Sequence, residues 1–330
     1  MTTSDNITKN ELKDIFNDIE NKKNFKLRIF EEGSSTDQEL FEDGGCTFSY
    51  KNKVYGSCDA VIESDNFVIA IEMTDALNRG STGSAQIQRF HHALGAVKKG
   101  YLGIYYLRKG TTAIRADLYG MAYNISKIEK GNYLIIDDLK FIKELFKVID
   151  QPLKYKNLIN NHLTYMKNIF ESDFNKKYVN WEDYFKKRST LDMKTYICRY
   201  QANSYISFTE GQARGGHLAL GEIYLGKYLF DDVINNKKKL YMLFPRLEKN
   251  ELNLLKKRIQ TNKELNLILN EENTVIKTLE DISGIPKSII NMMKSLKKEN
   301  LNKNPARKNY KESMIEIFNL LKNKNAHFKK

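Results

Sequence analysis

The sequence predicts an α/β fold built on a mixed sheet of about five strands, continued from about residue 150 by a mostly helical α+β region. Three observations carry this reading. Between residues 46 and 74, three β-rich runs are joined by short polar turns, the pattern of an antiparallel meander. The period then changes to a helical one, and a further apolar run follows, which makes a strand–helix–strand crossover with parallel strands. After Asp150-Gln151-Pro152 the texture shifts again, to long segments rich in Lys, Asn and aromatic residues.

The elements follow in order. Residues 10–21 are expected to be helical, with Leu12, Ile15, Phe16 and Ile19 on one face. FKLRIF (25–30) alternates as a short strand does. Ser34-Ser35-Thr36 can cap a short helix over 36–42 that Gly44-Gly45 ends. The meander strands are 46–50, 54–63 and 67–74. The last, FVIAIEMT, is almost wholly apolar and is expected at the centre of the sheet, covered on both faces. Residues 83–98 are expected to form the crossover helix, with Ile87, Phe90, Ala93, Leu94 and Val97 inward and Lys99-Gly100 at its end. YLGIYYL (101–107) is the next strand, 116–124 another candidate, and 133–137 a further one feeding a helix over 138–149. Helices are expected up to about residue 188 and over 248–268. A glycine-bearing β-like stretch covers 195–230, a strand candidate 239–244, and two short helices 278–293. In the tail, Tyr310, Met314, Ile317, Phe318 and Leu321 share one helical face.

Composition narrows the partners. Of 330 residues, 54 are Lys or Arg and 41 Asp or Glu, for a formal net charge of +13. The surplus is uneven: residues 1–80 carry 9 basic and 16 acidic residues, so the positive excess belongs to the rest of the chain. A basic surface points to a polyanion such as DNA or RNA, and the acidic front to a cation site. No run of 18 apolar residues occurs, so no membrane partner is expected, and the polar N-terminal segment does not read as a secretory leader. Cys46, Cys58 and Cys198 fit neither a disulfide scaffold nor a zinc knot, which agrees with a cytoplasmic location.

Two acids stand out. Asp59 precedes Ala60-Val61-Ile62, and Glu72 follows the apolar run Phe67–Ile71. A carboxylate in such surroundings is costly unless compensated. If the intervening turn centres near Asn66, the two residues face each other across neighbouring strands. Thr74 then lies on the same face as Glu72. Converging carboxylates call for a cation. With no HExxH and no Cys/His cluster, oxygen ligands point to Mg²⁺, with Mn²⁺ as its substitute. Asp59, Glu72 and the carbonyl of Met73 are the expected ligands of one or two ions. Such an ion can activate water for attack on phosphorus.

Cys58-Asp59 followed by Glu72-Met73-Thr74 resembles the PD-(D/E)xK nuclease superfamily, and within it the type II restriction endonucleases. The resemblance covers about residues 35–110. It implies a restriction-endonuclease-like mixed central sheet flanked by helices, in a catalytic domain over 1–150. DNA recognition and possible dimerisation then fall to 151–330. It implies an Mg²⁺-dependent, site-specific phosphodiester hydrolase acting on double-stranded DNA, with Asp59, Glu72, Thr74 and Gln88 as catalytic residues. Thr74 departs from the pattern, which usually has lysine there; Arg89 and Lys98 are candidate sources of the missing charge. Cys58 stands where the family often has proline. Gln88 is favoured over Gln86 as the polar helix residue near the acids, and Glu39, ahead of Glu32 and Glu42, is a candidate further acid. Catalytic duty for His91 or His92 is the lesser reading. Asp75 should start on the other face.

Residues 80–84, a Gly-Ser-Thr-Gly-Ser loop, can hold a phosphate near the following helix. Arg79 and Arg89 flank it as expected DNA contacts. The segment TEGQARGGHLALGE (209–222) sets Gln212, Arg214 and His217 among small residues, as a base-reading loop does; a polar hairpin is the alternative. A twofold homodimer is the expected assembly for cutting both strands of a palindrome. Two other functions remain in view: a repair or junction nuclease of the same fold, and a catalytically inactive nucleic-acid-binding protein.

Overall fold

A computed structural model of the protein describes residues 3–20, 22, 24–30, 46–51, 53–78, 86–87, 89–178, 224–225, 227–229, 234, 240–244, 274–278, 287 and 291. The expected helices over 36–42 and 248–268, the loop 80–84, the segment 209–222 and the tail helix lie outside the described residues. So do all but residues 278, 287 and 291 of the expected helix pair over 278–293.

The described chain is mixed α/β. Helix α1 (Thr3–Asn17) is followed by strand β1 (Lys26–Ile29) and by the hairpin β2 (Thr47–Tyr50) and β3 (Lys53–Ser57). Then come β4 (Ala60–Ser64) and β5 (Phe67–Thr74). A 3₁₀ turn (Phe90–Ala93) and helix α2 (Leu94–Lys99) lead to β6 (Leu102–Leu107), α3 (Ala116–Ile128), β7 (Tyr133–Ile136), α4 (Lys140–Val148) and α5 (Pro152–Phe170). Five strands form one sheet in the order β1-β4-β5-β6-β7. The first three are antiparallel neighbours, whereas β5, β6 and β7 run parallel. The apolar strand β5 is central, as its composition requires: residues 69–73 are buried.

Several elements differ from expectation, each for a visible reason. The expected strand 54–63 is two strands in two sheets. Cys58 N–H donates to Cys46 O at 3.0 Å, closing the β2–β3 hairpin, and Phe30 N–H donates to Asp59 O at 2.9 Å, opening the β1–β4 pairing. The chain changes sheets between these two residues. Among the described residues of the crossover the helical ones run only from Phe90 to Lys99; the hairpin packs against them, and His91 and His92 are buried along with the inward stripe. Its end is as expected: Gly100 caps α2 with φ of 101°, a left-handed conformation that suits glycine. Residues 116–124 are not a strand but most of α3. Leu118, Met121, Ala122 and Ile125 repeat at helical spacing and are all buried. Residues 224, 225 and 227–229, expected within a β-like stretch, are helical.

The chain divides into two units, Met1–Val179 with Tyr224–Asp231, and Asn180–Ile223 with Asp232–Lys330. The first extends past the expected boundary at 150 because α5 packs back on α3 and β7. His162 Nε2 lies 2.7 Å from Ile135 O, and a side chain at Gly120 would overlap the Phe170 ring. Residues 224–229 also belong here. Asn124 Nδ2 donates to Tyr228 O at 2.9 Å, and Lys98 Nζ to Tyr228 Oη at 3.1 Å. In the second unit, β8 (Leu240–Phe244) and the unexpected β9 (Thr274–Thr278) pair in parallel. No helix among the described residues is long and apolar enough to cross a membrane.

Candidate active site

The β4–β5 hairpin places the two acids together. Its pairing runs from Ser64 opposite Phe67 to Ala60 opposite Ile71, so the next step sets Asp59 opposite Glu72. The turn is Asp65-Asn66, one half-residue from the expected centre. Because Asp59 sits at the corner where the chain leaves one sheet for the other, its carboxyl turns towards β5. Asp59 Oδ2 accepts from Met73 N–H at 2.8 Å.

Glu72 is 1% exposed and lies between the buried Ile71 and Met73 of the central strand. His92 Nδ1 is 3.1 Å from Glu72 Oε2, and an Arg89 guanidinium nitrogen is 3.9 Å from Oε1. Oε1 has no hydrogen-bond partner among the described residues. Tyr105, opposite Glu72 in the parallel register of β5 and β6, is likewise buried with an unpartnered hydroxyl. Phe90 stands edge-on to Tyr105 at 6.2 Å and stacks on Tyr133 at 4.3 Å, which closes this side of the sheet.

These surroundings disfavour ionisation. Burial, then the facing charge of Glu72, pushes the Asp59 carboxyl up to about 7. Burial pushes Glu72 up to about 8, against the opposing pull of Arg89, Asp59 and Lys9. Burial and the Arg89 charge lower His92 to about 3, so its imidazole is neutral and shares a hydrogen bond through Nδ1 with the Glu72 carboxyl. Burial and the Glu72 charge raise the Cys58 thiol well above its ordinary value.

The other expected residues fall into three groups. Thr74 is at the end of β5, but its hydroxyl accepts from Ala76 N–H at 3.2 Å and shapes the turn that follows. Its carbonyl accepts from Arg108 N–H at 3.0 Å. Arg89 reaches the acids and is partly exposed. Lys98 does not reach them: Glu129 and Tyr228 hold its ammonium. Asp75 is engaged by Asn78 and Arg108. Gln86 is a buried bracket, donating to Ala113 O at 3.1 Å and accepting from Arg115 N–H at 3.0 Å, rather than a solvent-facing polar residue. Gln88, Arg79, Glu32, Glu39, Glu42, Gln212, Arg214 and His217 lie outside the described residues.

Two further side chains meet the acids. His92 was the lesser reading, yet it orients Glu72. Lys9 is not among the residues expected at the site, although its spacing puts it on the inward face of α1, one turn before Leu12. Its ammonium is 3.9 Å from Asp59 Oδ1.

A magnesium ion suits this donor set. Mg²⁺ is commonly held by one or two carboxylates, with water and substrate phosphate completing its octahedron. The partnerless Glu72 Oε1 is the kind of buried oxygen that such an ion satisfies. Among the described residues no group of three or more His, Cys, Asp and Glu side chains is arranged to hold a metal. No protein-family model, no curated protein and no solved structure matches the chain.

Proposed function

We propose that the protein is an Mg²⁺-dependent endonuclease of the restriction type, hydrolysing phosphodiester bonds at a specific site in double-stranded DNA as a homodimer. The observation that carries this reading is the convergence of Asp59 and Glu72 at the β4–β5 corner, Glu72 buried and Asp59 with its side chain 14% exposed, with Lys9 and Arg89 each no nearer than 3.9 Å. Two carboxyls so placed repel one another, and a divalent cation removes the repulsion. The basic excess beyond residue 80 supports a polyanionic substrate.

In this reading Asp59, Glu72 and the Met73 carbonyl hold the ion. Bound there, the ion supplies an acidified water and neutralises charge on the phosphate. The Met73 N–H fixes one oxygen of Asp59. His92 fixes Oε2 of Glu72 and leaves Oε1 for the cation. Arg89, partly exposed beside Glu72, is placed to meet a phosphate oxygen. The packed aromatic wall of Phe90, Tyr105 and Tyr133 excludes water behind the acids, which strengthens each of these interactions.

The test is incubation of the full chain with plasmid DNA, with Mg²⁺ or with EDTA, beside Asp59→Ala and Glu72→Ala. Discrete fragments are expected from wild type with Mg²⁺ alone, and each substitution should lower the rate at least ~10³-fold. A smear, or a preference for branched or nicked DNA, identifies a repair or junction nuclease of the same fold instead. One observation favours a further reading, a catalytically inactive nucleic-acid-binding protein. Thr74 replaces the lysine of the pattern, and its hydroxyl serves the local turn. That reading predicts salt-sensitive DNA binding and no cleavage under any metal.

A further inference from the structure

Helix α1 adds a charge to the corner where the acids meet. Lys9 is 7% exposed. Its Nζ donates to Phe30 O at 2.7 Å and lies 6.0 Å from the centre of the Phe30 ring. Phe30 N–H in turn donates to Asp59 O, so the ammonium is tied to the backbone beside Asp59 itself. A buried ammonium needs compensation by negative charge, and Asp59 Oδ1 at 3.9 Å supplies it without a shared proton.

The corner then holds two carboxylates and two fixed cations, Lys9 and Arg89. No further His, Cys, Asp or Glu side chain among the described residues completes a group of three. Two divalent ions would set four positive charges against these two carboxylates with both fixed cations still present. A single divalent ion, with a phosphodiester bound, leaves far less charge unbalanced. Two buried oxygens there have no hydrogen-bond partner among the described residues, Glu72 Oε1 and Tyr105 Oη, and a cation with its water would satisfy them.

We propose that the site takes a single divalent cation and that Lys9 stands electrostatically in the place of a second. Lys9 is a positioning residue: it faces one oxygen of Asp59 while Met73 N–H holds the other. This rests on the nuclease reading and deepens it.

Mn²⁺ binding to the full chain, counted by electron paramagnetic resonance, tests the proposal, with Lys9→Gln, Lys9→Met and Lys9→Arg beside wild type. Gln retains a donor for Phe30 O without the charge. About one bound ion is expected in wild type. Lys9→Gln should bind it at least about threefold more tightly, because a repelling charge is gone. Lys9→Arg should resemble wild type. At saturating Mg²⁺, Lys9→Gln should lower kcat at least about tenfold with KM for DNA unchanged, and Lys9→Arg should recover part of the loss. Two ions bound to wild type would overturn the proposal. So would weaker Mn²⁺ binding in both neutral variants, the mark of a merely structural lysine. Cleavage by Lys9→Gln at the wild-type rate overturns the role of Lys9 and leaves the nuclease reading standing. Wild type that neither binds Mn²⁺ nor cleaves DNA removes both.

Discussion

Asp59 and Glu72 show how a fold can hold groups it would rather not ionise. Both carboxyls bind protons more tightly in the folded chain than in the unfolded one, so ionising them costs stability. The sign follows directly: the folded state carries the extra protons, and stability falls as pH rises from the unfolded carboxylate range through about 8. His92 acts the opposite way, losing stability as pH falls below its ordinary value, so the two effects oppose each other in acid. Above pH 6.5 the histidine effect fades while that of the two carboxyls continues. There the metal-free protein should lose up to ~1.4 kcal/mol per pH unit for each proton still held. Glu72→Gln should flatten that slope, and Mg²⁺ should flatten it in wild type. Chemical denaturation across this pH range, with and without Mg²⁺, measures both effects.

At the scale of elements, the site depends on packing some distance from it. Helix α5 approaches α3 closely enough that Phe170 lies against Gly120. Gly120→Ala should therefore destabilise the protein by ~1–3 kcal/mol through overpacking, although alanine is the better helix former. A urea titration with unchanged m-value would register this. The segment at 224–229 is fastened by Asn124, whose buried amide donates to the Tyr228 carbonyl. Tyr224 also lies 6.3 Å from His91, the neighbour of His92. Asn124→Leu should remove this buried hydrogen bond and cost ~1 kcal/mol. It should also raise hydrogen exchange at residues 224–229 above wild type, while exchange in β5 stays low. The β2–β3 hairpin has a comparable role, covering the crossover and burying both histidines.

For the molecule as a whole, charge is the controlling quantity. The acidic front contains the site, and the basic excess lies after residue 80. In the proposed nuclease, an anionic polymer is drawn to the latter and needs a cation to approach the former. Binding to duplex DNA should weaken linearly in log salt, by ~10³-fold or more between 50 and 200 mM if six or more phosphates are neutralised. Fluorescence anisotropy over a salt series reads the slope. The sequence alone determined much of this arrangement. The run FVIAIEMT had to be a central strand because its apolar content leaves no wet face. The short turn after Ser64 had to bring Glu72 back opposite Asp59 because strand pairing has a fixed register. Tertiary structure decided what periodicity cannot express. The change of sheet at Cys58-Asp59 depends on partners at Cys46 and Phe30. The helix at 116–128 has buried residues on several faces, so its apolar stripe was masked by neighbours that also face protein. His92 and Lys9 gained their roles from distance in space, since a histidine or lysine has no sequence signature for the carboxylate it will meet.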